Sequence, residues 1–332
     1  MALTVHYDAE GAADSVPTFL FDQAETYYDN PRAAAMEWFS AAFLGISVFY
    51  GLPALTGEHE DKSKTPEELE ALKQHFTAKN FNAMDIIQLA IAAGARYLLF
   101  PACYTDGFCL FNSALTDFTS AAAPANRDLV AEMASVCEYH GIGLFLEYSL
   151  GANAMRHPKG IQAAERDAYI EFVRGQLHEL LANYGTIAGI SFSGLEALKT
   201  QLPDFDGKDL YKMVRHIQPH ALIAFREGLN GEEDLFSVAD ALQKHPGGFL
   251  AKNSRCPIEA RRSMAAGGRS YNPSLAGKHM KTDDIWKALA ENHQADANLL
   301  VNTALMPDGS LDLEDIDALL EVGRRLETKG RP

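Results

Sequence analysis

Thr186-Ile-Ala-Gly-Ile-Ser-Phe-Ser-Gly194 is a short apolar run that closes on two serines and a glycine. A run of this length with glycine at its exit reads as a buried parallel strand ending in a tight turn. The segment before it, 165–184, reads as a long helix that feeds the strand. In an α/β barrel the carboxyl end of such a strand is where chemistry is placed. Ser191 and Ser193 stand there, and a serine pair offers little acid–base capacity.

The same alternation extends in both directions. Strands are expected over 44–51, 97–101, 142–149, 221–225, 249–251 and 299–302. Helices are expected over 32–43, 81–93, 127–140, 208–217, 235–243, 283–292 and 313–327. Asn30-Pro31 sets a proline in a first helical turn, and Thr65-Pro66-Glu67-Glu68 has the form of another helix start. Residues 1–30 read as an irregular acidic extension with aromatic anchors. Strands alternating with helices across short glycine-marked turns mean a parallel sheet. Seven or eight such units in 332 residues predict an α/β fold, the (β/α)8 TIM-like barrel, as one domain. No GxGxxG follows a strand, which weakens a nucleotide-binding alternative.

The totals narrow the partners. A net charge of −16 argues against nucleic acid, whose phosphates call for a basic footprint. No apolar stretch reaches the ~20 residues that span a bilayer, so no membrane association is expected. The start has no basic region followed by an apolar core, and the four cysteines form no CxxC pair. A cytoplasmic setting is the expectation. The eleven histidines show no HxH or HExxH spacing, so neither a metal site nor a cofactor is expected. A homo-oligomer is left open.

Several ordered segments together resemble the α-L-fucosidase family of glycoside hydrolases. Met36-Glu-Trp-Phe-Ser-Ala-Ala-Phe-Leu-Gly-Ile-Ser-Val-Phe-Tyr-Gly-Leu52 is similar to that family's "WF…FGIFIHWGL". Ala93-Gly-Ala-Arg-Tyr97 and Thr105-Asp-Gly-Phe-Cys-Leu-Phe-Asn-Ser113 resemble "AGAKY" and "KHHDGF-x-L-x-x-S". Gln176-Leu-His-Glu-Leu-Leu-Ala-Asn-Tyr-Gly185 resembles "QL-x-ELL-x-x-YG" before the nucleophile strand, and Ala297–Asn302 with Pro307-Asp-Gly309 resembles "GGNLLLNVGP-x-x-DG". The resemblance runs from about 36 to 326. It implies the catalytic barrel without the family's C-terminal β-sandwich, and a carbohydrate ligand.

At the site the residues depart from the family pattern. A retaining glycosidase needs a carboxylate nucleophile and a carboxylic acid/base roughly 5 Å apart. The resemblance puts Ser193 where the nucleophilic Asp belongs and Ser191 where a substrate-facing Trp belongs. Asn253 aligns with the acid/base Glu. Phe49 replaces a first-strand His, Tyr104-Thr105 replace a His pair, and Cys103 replaces a Lys. Arg226 matches an Arg that the family keeps after a strand. By the resemblance, Phe49, Tyr50, Cys103, Tyr104, Thr105, Asp106, Tyr148, Ser191, Ser193 and Arg226 would line the sugar site.

Each candidate has a plainer alternative. Glu147 interrupts an apolar strand at its carboxyl end, where burial would suit it to acid work; otherwise it pairs with an Arg such as Arg226. Glu196, Glu227 and Glu259 are relocated carboxylates or ordinary first-turn and loop acids. Asp106, in Thr-Asp-Gly-Phe, is an acid catalyst or a turn cap. Ser193 as an activated nucleophile would need a histidine base, and no histidine falls at an expected strand end. Arg255, Arg261, Arg262 and Arg269 would hold an anionic sugar or form an acid-paired loop. Two functions are carried forward: a degenerate carbohydrate-binding homologue, and a glycosidase using Glu147 with Glu196 or Glu259.

Overall fold

A computed structural model describes residues 15–57, 64–151, 165–194, 198–199, 202, 204–225, 231–239, 256–266 and 268–332. Eight parallel strands close into a barrel: β1 (Leu44–Phe49), β2 (Tyr97–Cys103), β3 (Gly143–Ser149), β4 (Gly189–Ser193), β5 (Leu222–Phe225), β6 (Leu235–Ala239), β7 (Ile258–Ser263) and β8 (Ala297–Ala304). β8 returns to β1 in register from Leu44↔Leu299 to Phe49↔Ala304. The predicted (β/α)8 barrel is therefore the fold. Among the described helices are α1 (Ala24–Asp29), α2 (Pro31–Ser40), α3 (Leu52–Thr56), α4 (Pro66–Lys73), α5 (Ala83–Ala92), α6 (Leu129–His140), α7 (Arg166–Asn183), α8 (Lys208–Ile217), α9 (Thr282–Gln294) and α10 (Leu313–Lys329). None of them is long and apolar enough to cross a membrane.

Register partners across a parallel ladder share a face, so the pairings sort every strand residue into inner or outer. Ile46, Leu98, Phe100, Leu144, Leu146, Ile190, Phe192 and Val301 point outward and pack under the helices. Tyr97, Leu99, Phe145, Leu222, Ala224 and Leu300 point inward at the amino-terminal end, where they meet Trp38 and Phe39 of α2.

This base is closed by residues 18–29, expected to be irregular, together with α2, the helix expected over 32–43. Residues 18–29 fold into a 3-10 turn and α1 because Phe19, Leu20 and Tyr27, with Trp38 of α2, have an apolar barrel end to cover. Asn30 caps α2 by accepting the Ala33 N–H at 3.0 Å, with Pro31 in the first turn. Trp38 stacks on Phe145, centroids 6.4 Å apart and planes 11° apart. A Cβ on Gly143 would lie 2.2 Å from the Trp38 ring, so glycine lets the helix seat this deeply.

Two elements differ from expectation in the described residues. Leu235–Ala239, expected to be helical, is strand β6, an apolar run too short for periodicity to distinguish helix from strand. Ile258–Ser263 is strand β7, hidden because its inward positions are Glu259, Arg261 and Ser263. The strand expected at 249–251 lies outside the described residues. The helix start at Thr65 carries a full capping box with Glu68.

Candidate functional site

The inner face changes character along the barrel axis. Above the apolar base, β3 offers Glu147 and Ser149, β4 offers Ser191 and Ser193, β6 offers Ser237, and β7 offers Glu259 and Arg261. Gly194 ends β4 with φ +75°, and a Cβ there would sit 2.5 Å from Ser149 Oγ. The tight exit expected for this strand is thus a steric requirement of its neighbour.

Glu147 is buried at the mouth and bound bidentately by Arg269. The Arg269 Nη1–H donates to Oε2 at 2.7 Å and Nη2–H to Oε1 at 3.0 Å. The guanidinium also lies 5.0 Å from the Phe49 ring centre and 5.2 Å from that of Tyr104. Those two rings meet edge to face, centroids 4.9 Å apart. Asn302 donates to the Arg269 carbonyl at 3.1 Å and accepts from Ser47 at 3.0 Å, which ties the arginine's backbone to β8 and β1. Burial alone would raise the Glu147 pKa. The opposed Arg269, helped by Arg261, outweighs burial and holds the carboxyl below its ordinary value. Glu147 is ionised and fully engaged.

Glu259 lies deeper, in a second network. Its Oε2 accepts the Tyr97 hydroxyl at 2.8 Å, and its Oε1 accepts Ser237 at 2.5 Å and Arg261 Nε at 3.3 Å. Arg261 reaches across the barrel to donate to Ser191 Oγ at 3.0 Å. Burial, then Glu259, keeps the Tyr97 phenol protonated far above its ordinary range. Sequence reasoning missed Tyr97, Ser237, Ser47 and Asn302. The detectable signal was the two-residue period Glu259-x-Arg261-x-Ser263.

Phe49, Tyr104, Glu147, Ser191 and Ser193 come together at or just inside the mouth. Thr105 Oγ1 is buried beside them in sequence and has no hydrogen-bond partner. Three residues expected to line the sugar site lie elsewhere. Tyr50 packs outside β1 against Phe76 and Phe81 and donates to the Pro307 carbonyl at 3.2 Å. Tyr148 faces α7, donating to Gln176 at 2.7 Å. A register break between Pro101 and Cys103 turns Cys103 to that same outer layer. Asp106 accepts the Phe108 N–H at 2.9 Å, which makes it a turn cap. Glu259 is not at the rim, and Arg261 is a strand residue rather than part of a loop. Glu196, Arg226, Glu227, Asn253 and Arg255 lie outside the described residues.

Two features away from the mouth add nothing to it. A groove of about 470 Å³ between α5 and α10, lined by Asn82, Asp85, Leu89 and Leu311, lies on the outside of the barrel. His279, Asp312 and Glu314 bring ligand-type atoms within 4.8 Å of one another, but Glu314 already accepts from Gly277 N–H and Lys281 Nζ.

The sequence profile described as Alpha-L-fucosidase matches residues 22–331. Alpha-L-fucosidase 1 of Arabidopsis thaliana is 28% identical over 152 residues, 45% of this chain and 29% of that protein. A putative α-L-fucosidase 1 of Oryza sativa subsp. japonica is 32% identical over 158 residues, 45% of this chain and 28% of the relative. The matched stretches thus span less than a third of these relatives. Among solved structures, α-L-fucosidase isoenzyme 1 from Paenibacillus thiaminolyticus superposes with a TM-score of 0.77 at 26% identity, covering 91% of this chain and 77% of that one. The α-L-fucosidase AlfC from Lactobacillus casei, solved with α-L-fucose, shares the fold at 21% identity, with a TM-score of 0.73, covering 90% of this chain and 99% of its own. With a match over nearly its whole length, the chain belongs to the α-L-fucosidase family.

Proposed function

We propose that this barrel binds carbohydrate without performing the family's retaining hydrolysis. The observation that carries the proposal is the state of Glu147, a mouth carboxylate with both oxygens held by Arg269. Retention requires one carboxylate free to attack the sugar and an opposed carboxylic acid to protonate the departing oxygen. Glu147 cannot serve as the acid, because it is held ionised, and as a nucleophile its lone pairs are directed at a guanidinium. Ser193, aligned with the family's nucleophilic Asp, has no carboxylate to offer. Glu259 has two hydroxyls and an arginine on its oxygens, and it sits below the mouth.

What the mouth does offer suits a polyol. Phe49 and Tyr104 form its aromatic wall, both buried against Arg269, and Ser193 adds a hydroxyl at the end of β4.

The test is a panel of aryl glycosides, led by α-L-fucoside, paired with protein-observed NMR titrations of the free sugars. The proposal expects saturable shifts at Phe49, Tyr104 and Ser193 with hydrolysis at background. Hydrolysis of any glycoside that depends on Glu147, or on Glu196, would instead establish the relocated-carboxylate reading.

A further inference from the structure

The loop that delivers Tyr104 to the mouth is closed at its neck by two cysteines. Cys103 ends β2, and after five residues Cys109 pairs with it as an isolated antiparallel bridge. The bridge is flanked by the Leu110 N–H donating to the Ala102 carbonyl at 2.8 Å. That bond lies outside the pair, so the cysteines occupy the non-hydrogen-bonded position of the bridge. Cα atoms there are about 4.5 Å apart and the side chains lean toward each other. Disulfides span Cα separations of about 4.4–6.8 Å, so the backbone already stands within bonding range.

The side chains are placed to match. Both cysteines are buried in the layer outside β2, and both thiols act electrostatically on the same Tyr148 hydroxyl. Gln176 Nε2 donates to Cys109 Sγ at 3.3 Å, and Gln176 Oε1 accepts from Tyr148 at 2.7 Å. The two sulfurs therefore gather around one polar cluster in an otherwise apolar layer. Cys137 lies on α6 and Cys256 precedes β7, and both are free in the fold.

We propose that Cys103 and Cys109 are a redox pair, and that their disulfide fastens the 104–108 loop at the barrel mouth. The oxidant is hydrogen peroxide, small enough to enter on a local opening of the loop. One thiolate attacks a peroxide oxygen, the O–O bond breaks, and the departing hydroxide leaves as water, giving a sulfenic acid. The second sulfur attacks the sulfenic sulfur, the S–O bond breaks, and a second water leaves. Two thiols and one peroxide become one disulfide and two waters, with two electrons passing from sulfur to oxygen. The consequence for the mouth is direct, because Tyr104 follows Cys103 and its ring packs on Phe49 and Arg269.

The experiment treats the reduced, full-length protein with stoichiometric hydrogen peroxide and maps its cysteines by peptide mass spectrometry under non-reducing conditions. The expected product has lost two hydrogens, contains a Cys103–Cys109 linked peptide, and reverts with dithiothreitol. Amide exchange across 104–108 should slow in the oxidised form. A Cys137→Ala/Cys256→Ala variant should oxidise identically, which keeps the test independent of whether Cys103 or Cys109 variants fold. Oxidation confined to Cys137 or Cys256, an intermolecular link, or overoxidation of Cys109 to sulfinic acid with Cys103 still a thiol would each overturn the proposal. So would a Cys103–Cys109 disulfide that leaves exchange across 104–108 unchanged.

Discussion

The two ends of the barrel are built on the same strands and differ in almost every other respect. At the base, β2 and β3 turn Tyr97 and Phe145 inward to meet Trp38 and Phe39, aromatic against aromatic. Four residues further along β2 and two along β3, the inner face holds Pro101 and Glu147, and a buried ion pair spans the mouth. The base gains by burying apolar area, at roughly 25 cal/mol per Å². The mouth must desolvate two charges and recovers little net stability from their pairing. Stability is therefore concentrated at the base, while the mouth holds groups whose positions are expensive to maintain. Such groups are where function is sought.

The comparison is broken most forcefully from the base. Trp38→Ala empties the space between Phe145, Phe19 and Gly143 and should destabilise by about 4 kcal/mol in chemical denaturation. A loss of under ~1 kcal/mol would mean the base does not anchor the barrel.

Next in size is an acid effect at the base. His220 sits 6.0 Å from both Phe19 and Tyr27, and burial pushes its pKa from 6.5 down to about 4. The folded state keeps it neutral, so its full contribution is present above pH 6.5 and falls as pH drops toward 4, by about 3 kcal/mol. A His220→Phe variant should lose that part of the pH dependence. Glu147 acts in a lower window, because its depressed pKa keeps its contribution intact until pH falls below 4.5. Stability curves of His220→Phe and Glu147→Gln across pH 3–7 therefore separate base from mouth.

Smaller still is the loss of one mouth partner. Arg269→Leu strands the Glu147 carboxylate and should cost about 2 kcal/mol, less than a fully buried pair because a fifth of the Arg269 side chain is exposed. Adding Glu147→Leu should recover most of that loss, measured as a double-mutant cycle. If the double variant is as unstable as the single, the pair is a stabilising element and the contrast between the two ends fails. Ser193→Asp alone should leave fucoside turnover at background, since Phe49, Tyr104 and Thr105 still occupy the sugar-contacting positions of the resemblance.

How much of this was visible in the sequence follows the same division. Strands that are apolar on both faces, such as Gly143–Leu146, announce themselves, and the barrel follows from their alternation with helices. β7 was opaque because its inner residues Glu259 and Arg261 satisfy each other inside the barrel, a pairing that local composition does not reveal. The 3-10 turn and α1 at the base were opaque because their apolar partner, the barrel end, exists only once the strands close, whereas Asn30-Pro31 announced α2. At the site, Glu147 was legible as an interruption of its strand, but its partner was not. Arg269 lies 122 residues away, among arginines that read as an anionic-sugar site or an acid-paired loop, with nothing local to name Glu147 as the acid. Tyr50 and Tyr148 were misplaced because each directly follows an inward residue, Phe49 or Glu147, and so faces outward by strand alternation, while Cys103 was misplaced because the register break after Pro101 exchanges inner for outer.

The central claim is that the mouth is arranged to hold a sugar and not to cleave it. Its most direct test is single-turnover hydrolysis of an aryl α-L-fucoside by saturating, unmodified protein, beside the Glu147→Gln variant. The account predicts release of the aryl group at the uncatalysed rate in both, with no covalent sugar on the protein by intact mass. Sustained release by the unmodified protein, abolished in Glu147→Gln, would contradict it.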